Sequence, residues 1–236
     1  MNTEFENQAL HRYRRMAWIT IAAVYLLILV GASVRASGAG MGCPDWPTCF
    51  GQWIPPTSEA QLPNNYQQIY AELGYAETRF NVVKTWTEYI NRLTGISIGI
   101  LILLTAFYSW KVRRYDNSIL LASVAAFVMV GFQGWLGAQV VGSNLQPGLI
   151  TLHMLMALAL VGTLLFAVAQ ARRGIMATQS VTKIDPRFQK WLYIVLGMTV
   201  LQVAMGTQVR EMTDFIARAQ GEELRSSWIQ SMPWFF

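Results

Sequence analysis

Apolar residues lie in long runs that contain no charged side chain. The stretches 16–34, 93–110 and 191–209 are uncharged, and the longest such stretch is 117–171. A bilayer crossing needs about 20 mostly apolar residues, so this last stretch is long enough for two crossings. The turn sequence Ser-Asn-Leu-Gln-Pro-Gly at 143–148 divides it. Because backbone polar groups in lipid must be satisfied internally, the pattern predicts five transmembrane helices, near 16–35, 92–110, 118–141, 149–171 and 190–209.

The segment 36–91, between the first two predicted spans, is the longest polar part of the chain. Its first half is rich in Gly and Pro, which predicts a loop. Residues 65–73 are predicted to form a short helix that Gly74 ends. From Glu77 onward apolar residues recur at helical spacing, which predicts a further helix that continues into the second span.

A short sequence repeats at the ends of the first and fifth spans. Gly31-Ala-Ser-Val-Arg35 matches Gly206-Thr-Gln-Val-Arg210. Membrane proteins built from duplicated halves leave such traces. The predicted fold class is therefore an all-α integral membrane protein, with a complete N-terminal four-helix transmembrane bundle plus the first helix of a second, repeat-related bundle. The apolar end Trp234-Phe235-Phe236 is expected to be a point where the sequence is cut short.

This interpretation divides the chain into four parts. They are an N-terminal segment 1–15, the bundle 16–171 with its outer loop 36–91, a linker 172–189, and an incomplete second bundle 190–236. Within the spans, Gly95 and Gly99 form a small-xxx-small pair, which favours a close contact between helices.

Basic residues are concentrated beside three of the predicted spans. The net charge is +5, and eleven of the eighteen basic residues fall on one side of the predicted membrane. The positive-inside rule places that side, with the N-terminus, in the cytoplasm. Nucleic-acid binding explains these charges poorly, because each cluster borders a membrane span. Those eleven are Arg12, Arg14, Arg15, Lys111, Arg113, Arg114, Arg172, Arg173, Lys183, Arg187 and Lys190.

The same orientation places the chain's two cysteines, Cys43 and Cys49, outside the cytoplasm. In an oxidising compartment they are expected to close a small disulfide loop; a free pair is the alternative. Zinc binding is disfavoured because no histidine lies nearby. The Cys-x-x-Cys-His motif of c-type heme attachment is absent.

Ionisable residues near the outer ends of the spans are candidates for chemistry. Glu88 and Arg92 are four residues apart, so they could form an ion pair, or Glu88 could act as an acid, base or electrostatic stabiliser. His153, inside the fourth span, could hydrogen-bond to another helix or ligate heme iron. Arg35, Arg92 and Arg210 could snorkel to the interface or bind a carboxylate through the guanidinium. His11, beside Arg12, is expected to be solvated.

Four sequence segments together resemble the heme A synthase family. The most specific is Arg35-Ala-Ser-Gly-Ala-Gly-Met-Gly-Cys-Pro-Asp-Trp-Pro-Thr-Cys49. It is followed by Glu88-Tyr-Ile-Asn-Arg92, Gln133-Gly-Trp-Leu-Gly137 and the stretch 147–153. The resemblance covers essentially the whole chain. It implies a membrane oxidoreductase that converts a methyl group of heme O to the formyl group of heme A, for assembly of terminal oxidases.

The resemblance also implies a fold and a set of roles. The family has two similar four-helix bundles, one for the substrate heme and one that holds heme b. Glu88 matches an acidic residue implicated in the chemistry, and His153 matches an axial ligand of heme iron. Cys43 and Cys49 match a pair usually interpreted as a disulfide. The expected cofactor-binding residues are His153, Arg35, Arg92 and Asn91, and heme b is expected only in a full-length protein.

The chain departs from the family pattern at one position. The usual Glu-x-x-His-Arg is Glu-Tyr-Ile-Asn-Arg here, so Asn91 occupies the place of an axial histidine. Either His153 alone holds the heme, or another group supplies the second ligand. The histidines of the second bundle are absent from the sequence, and the chain is expected to be inactive by itself.

The resemblance also implies a location and partners. The expected location is a bacterial plasma membrane, with Cys43 and Cys49 on the periplasmic side. Heme O, membrane lipid, heme O synthase, oxidase assembly factors and a second copy of the chain are the candidate partners. Two other functions stay open: a heme-binding assembly protein without enzymatic activity, and a membrane thiol-disulfide oxidase. The second would be expected to carry a Cys-x-x-Cys motif or a second cysteine pair.

Overall fold

The computed structural model describes residues 3–76, 78–176 and 185–220, and all of its long elements are helices. Among these residues, five helices are long and apolar enough to cross a membrane, as the charge-free runs predict. The predicted chain end at 234–236 and part of the predicted linker, 177–184, lie outside the described residues. The α-helices in chain order are α1 Thr3–Ala36, α2 Tyr66–Ile69, α3 Val82–Val112, α4 Asn117–Gly142, α5 Pro147–Met176 and α6 Pro186–Gln220.

Side-chain caps begin α3 and α4. Asn81 accepts a hydrogen bond from the backbone N–H of Lys84 at 3.0 Å, which starts α3 ten residues before the predicted span. The prediction that a helix continues into the second span is therefore confirmed. Asp116 caps α4 by accepting from the backbone N–H and the hydroxyl of Ser118 at 2.8 and 2.7 Å. These two hydrogen bonds lower the pKa of Asp116 below its ordinary value.

The chain divides into two compact units. The first consists of Met1–Leu145 and Met156–Val181, and the second of Gln146–Leu155 and Thr182–Phe236. The predicted domain boundaries at 171 and 190 stay a prediction.

In the first unit, buried apolar residues of α1, α3, α4 and the later part of α5 form one core. Ile102 and Ile119 are fully buried at its centre. Two polar pairs lie inside it: Thr20 with Thr105 at 2.7 Å, and the Tyr13 hydroxyl with Ser123 at 2.8 Å. Such interhelical hydrogen bonds are typical of helices that pack in lipid.

The predicted small-xxx-small contact of α3 is wrong for the described part of the chain. Nothing there lies within 4 Å of a Cβ built on Gly95 or on Gly99. The core side of α3 is instead formed by larger residues such as Ile98 and Ile102.

The segment 37–81, between α1 and α3, has an aromatic core of its own. The Phe50 ring meets four other rings edge to face, with centroids 5.3 to 6.2 Å apart. Such edge-to-face pairs are the favoured arrangement of aromatic rings. The four partners of Phe50 are Tyr66, Tyr70, Tyr75 and Phe80.

The short helix predicted at 65–73 is found in two pieces. They are α2 and a single 3₁₀ turn, Ala71–Leu73. Gly74 ends the turn with φ of +84°, a left-handed conformation that glycine adopts without strain.

The second unit consists of α6 and the first residues of α5. Thr151 and Thr207 hydrogen-bond between the two helices at 2.6 Å. Most apolar side chains of α6 are exposed, Met198 and Trp191 among them.

Candidate functional site

The cysteine loop is closed and internally hydrogen-bonded. Cys43 and Cys49 form a disulfide, which confirms the prediction, and both residues are fully buried. The Asp45 carboxylate lies inside the loop and accepts the backbone N–H groups of Phe50 and Gly51 at 2.6 and 2.9 Å. It also accepts the hydroxyl of Thr48. These bonds fix the carbonyl groups of the loop in defined directions.

Gly42 brings the loop into direct contact with the backbone of α3. A Cβ built on Gly42 would lie 2.3 Å from the carbonyl oxygen of Lys84, which is closer than any side-chain atom can approach. The Thr85 hydroxyl donates to the Gly42 carbonyl at 2.8 Å. A residue without a side chain is therefore required here, because the two backbones touch.

Nearby, Tyr75 ties the 37–81 segment to the start of the loop. Its hydroxyl donates to the carbonyl of Met41. Burial, reinforced by the negative charge of Glu88, raises the pKa of the Tyr75 hydroxyl far above its ordinary value. The hydroxyl therefore keeps its proton and serves as a donor at all physiological pH values.

Glu88 is the buried carboxylate at this contact. Only 3% of its surface is exposed. Its Oε2 accepts the backbone N–H of Cys43 at 2.8 Å, and its Oε1 pairs with Nη2 of Arg92. The ion pair that the four-residue spacing allows is thus present, and it includes a third partner from the loop.

Arg92 binds the carbonyl groups of the loop. Its Nη1 donates to the carbonyls of Asp45 and Thr48 at 2.6 and 2.9 Å. Its Nη2 donates to the carbonyl of Cys43 at 3.3 Å as well as to Glu88. Since a guanidinium has five N–H donors, these four contacts use both terminal nitrogens and leave only Nε–H.

Asn91, which replaces the expected histidine, faces α1 and not the cysteine loop. Its Oδ1 is buried and has no hydrogen-bond partner among the described residues. The same atom would lie 3.8 Å from a Cβ built on Gly31, so the amide points toward α1. A buried acceptor of this kind is suited to a donor from a bound molecule or a water.

The other predicted site residues lie on different elements. Arg35 is in the last turn of α1. His153 is partly buried on α5, within the stretch that belongs to the second unit. His11 is exposed, as predicted. The structure thus brings together Cys43, Cys49, Glu88 and Arg92 in the first unit.

Sequence reasoning missed the residues that dock the loop. Asp45, Gly42 and Thr85 were not singled out, although two of them carried a signal. Asp with Thr three residues later is typical of a turn held by side-chain hydrogen bonds. The glycine at 42 directly precedes the cysteine, which is typical of a close backbone approach.

Comparisons with known proteins identify relatives along almost the whole chain. The model of a family described as cytochrome oxidase assembly protein matches residues 14–235. A protein named heme A synthase from Shewanella oneidensis is 30% identical over 185 residues, which are 78% of this chain and 53% of that protein. One of the same name from Alkalihalophilus pseudofirmus is 26% identical over 81% of this chain and 57% of its own length. A third, from Sinorhizobium fredii, is 24% identical over 89% and 59%.

The chain spans about half the length of these curated relatives. No solved structure matches it. The family model covers nearly every residue, including the cysteine loop and the start of α3. The chain therefore belongs to the family of cytochrome oxidase assembly proteins.

Proposed function

We propose that the protein acts in heme A synthesis, by oxidising a porphyrin methyl group of heme O to the formyl group of heme A. Written as a half-reaction, the methyl group and one water give the formyl group, four protons and four electrons, through a hydroxymethyl stage. The four electrons pass to an external electron acceptor. The observation that carries the proposal is the buried Glu88 carboxylate, held by Arg92 and by the Cys43 N–H in a chain whose relatives are named heme A synthase.

Glu88 is the proposed catalytic residue. A carboxylate held beside a reacting carbon accepts a proton or stabilises developing positive charge. The Arg92 guanidinium and the Cys43 N–H hold the two oxygens of Glu88 in fixed positions.

His153 is the proposed axial ligand of the substrate heme. A neutral imidazole nitrogen is a common ligand of heme iron. Asn91 offers an amide in place of a second histidine, and an amide is a poor ligand for iron. We therefore expect one protein nitrogen, that of His153, on the iron of the substrate.

Heme b does not fit the residues of this chain. The sequence contains two histidines, and one of them, His11, is exposed near the N-terminal end of α1. No step of the proposed reaction is assigned to heme b.

The proposed location is a bacterial plasma membrane, with the cysteine loop on the periplasmic side. The concentration of basic residues beside the other ends of the helices supports this orientation. Arg35 is the proposed partner of a heme carboxylate. Heme O synthase, oxidase assembly factors and a second copy of the chain remain candidate protein partners.

Heme A formation tests the proposal directly. The complete gene product is expressed in a host that makes heme O and lacks heme A, and extracted pigments are identified by mass spectrometry. Glu88→Ala is expected to lower heme A by about 100-fold or more, the usual cost of losing a general acid or base. Glu72→Ala, which removes an exposed carboxylate of the 37–81 segment, is the matched control. Equal yields from the two variants, or no heme A from the unsubstituted protein, would contradict the proposal.

A heme-binding assembly protein without activity is the second candidate function. The departure at Asn91 and the family's description favour it. Purified protein that binds heme O, loses it on His153→Ala and never forms heme A would establish this alternative. A thiol-disulfide oxidase is disfavoured, because both sulfurs of the chain's single disulfide are buried.

A further inference from the structure

We infer that Arg92 is a positioning residue. It holds the Cys43–Cys49 loop and the Glu88 carboxylate in a fixed position relative to each other, and it binds no anionic group of the substrate. The inference rests on the proposed function, since it assigns Arg92 a role in that site. It replaces the expectation that Arg92 binds the heme.

The contacts of the guanidinium carry the argument. Both N–H groups of Nη1 point at loop carbonyls, those of Asp45 and Thr48. Both N–H groups of Nη2 are used by the Cys43 carbonyl and by Glu88. A carboxylate ligand normally binds Arg through two parallel N–H bonds. With four of five donors already taken, the guanidinium has no free pair of donors for such a ligand.

The loop itself supplies the complementary surface. The disulfide closes a ring from Cys43 to Cys49, and three carbonyl groups of that ring converge on one cation. The Asp45 carboxylate also binds the two residues that follow the ring, through the backbone N–H groups of Phe50 and Gly51. The ring therefore presents its carbonyls to α3, which is the arrangement that a planar donor fork recognises.

Cys43 connects the two charges of the pair. Its N–H donates to Glu88, and its carbonyl accepts from Arg92. One residue of the loop is therefore hydrogen-bonded to both side chains. The side chains of Arg92 and Glu88 are 11% and 5% exposed. Removing Arg92 would leave a buried carboxylate without its countercharge and three carbonyls without their donor, which is the costly way to break a buried pair.

The first measurement is the rate at which Cys43 and Cys49 become accessible to labelling, because it needs no heme. The complete gene product is treated with a mild membrane-permeant reductant, and the freed cysteines are labelled with a maleimide over time. Arg92→Met is expected to speed labelling by about tenfold or more, the effect of losing hydrogen bonds to a charged group. Arg92→Lys should be intermediate, because an ammonium restores charge without the planar fork. Arg79→Met, at an exposed arginine of the 37–81 segment, should label like the unsubstituted protein.

Heme O titration and turnover are the second measurement. A positioning role predicts that Arg92→Met keeps the midpoint of heme O binding within about twofold and lowers kcat, since only the reacting geometry is lost. Unchanged labelling together with a midpoint raised tenfold or more would overturn the inference and make Arg92 a substrate-binding residue. Loss of heme O binding and turnover in the unsubstituted protein would refute the proposed function, while the labelling result would still decide whether Arg92 holds the loop.

A double substitution covers the case in which Arg92→Met does not fold. Glu88→Gln removes the charge that Arg92 compensates, so Arg92→Met combined with Glu88→Gln should fold better than Arg92→Met alone. Its labelling should still be fast, because the three loop carbonyls lack their donor. Slow labelling in the double variant would show that the loop is held by other contacts and would overturn the inference.

Discussion

The two ends of α3 are held by different kinds of contact. At the loop end, Thr85, Glu88 and Arg92 bind backbone groups of the cysteine loop. Toward the other end, Ile98 and Ile102 pack among apolar side chains of neighbouring helices. Backbone contacts depend on exact position, whereas apolar packing tolerates changes of shape that conserve volume. The loop end should therefore be the less tolerant of substitution.

Gly42→Ala should have the largest effect, because it separates the two backbones that touch. The new Cβ would lie 2.3 Å from the Lys84 carbonyl oxygen, so the loop must move away from α3 and lose its hydrogen bonds. We expect a loss of about 3 kcal/mol in the free energy of unfolding, at the upper end for overpacking. Thermal unfolding in detergent measures it.

Gly99→Ala is the matched control for this substitution. Nothing among the described residues lies within 4 Å of its Cβ. Alanine is a better helix former than glycine by about 1 kcal/mol, so stability should stay equal or rise. If both variants were equally stable, the close docking of the loop would not be a feature of the protein in solution.

Ile102→Ala should have an intermediate effect, because it creates a cavity in the apolar core. The side chain is fully buried, but helices in lipid gain little from transfer out of water, so we expect about 2 kcal/mol. Maleimide labelling of the cysteine loop should not change. Ile100→Ala, at a residue 54% exposed, should cost less than about 0.5 kcal/mol. Faster labelling in Ile102→Ala would show that the two ends of α3 are coupled.

Thr20→Val should have the smallest effect. It removes the 2.7 Å hydrogen bond to Thr105 and conserves the shape of the side chain. Interhelical hydrogen bonds in membranes contribute about 0.6 kcal/mol on average. Thr94→Val removes a hydroxyl that bonds within its own helix, to the Ile90 carbonyl, and serves as the control. If Thr20→Val lowered the free energy of unfolding as much as Ile102→Ala, polar pairs and not packing would hold the end of α3 that lies away from the cysteine loop.

Much of the fold follows from charge-free runs and from turn residues. The five long helices were predictable because a bilayer allows few alternatives for an apolar stretch of their length. The disulfide was predictable because the chain has two cysteines, six residues apart, on one polar segment. The helix predicted from Glu77 onward begins at Val82, where the Asn81 cap starts α3.

The arrangement at the candidate site was less predictable. The four-residue spacing indicated that Glu88 and Arg92 could meet, and they do. Nothing in the sequence indicated that Arg92 would bind the carbonyls of Asp45 and Thr48, because every residue carries a carbonyl and only the fold selects among them. The apparent contact motif Gly95–Gly99 was misleading for a similar reason: small residues permit close approach but do not require it.

The length of α3 has a consequence for the response to the surrounding lipid. Its 31 residues span about 46 Å, whereas the hydrocarbon core of a bilayer is about 30 Å thick. A thinner or thicker membrane is accommodated by a change in helix tilt. Because Glu88, Arg92 and the docked loop are all attached to the same rigid helix, they would tilt together. The distances between them should therefore not change with lipid composition, even where the depth of the site in the membrane does.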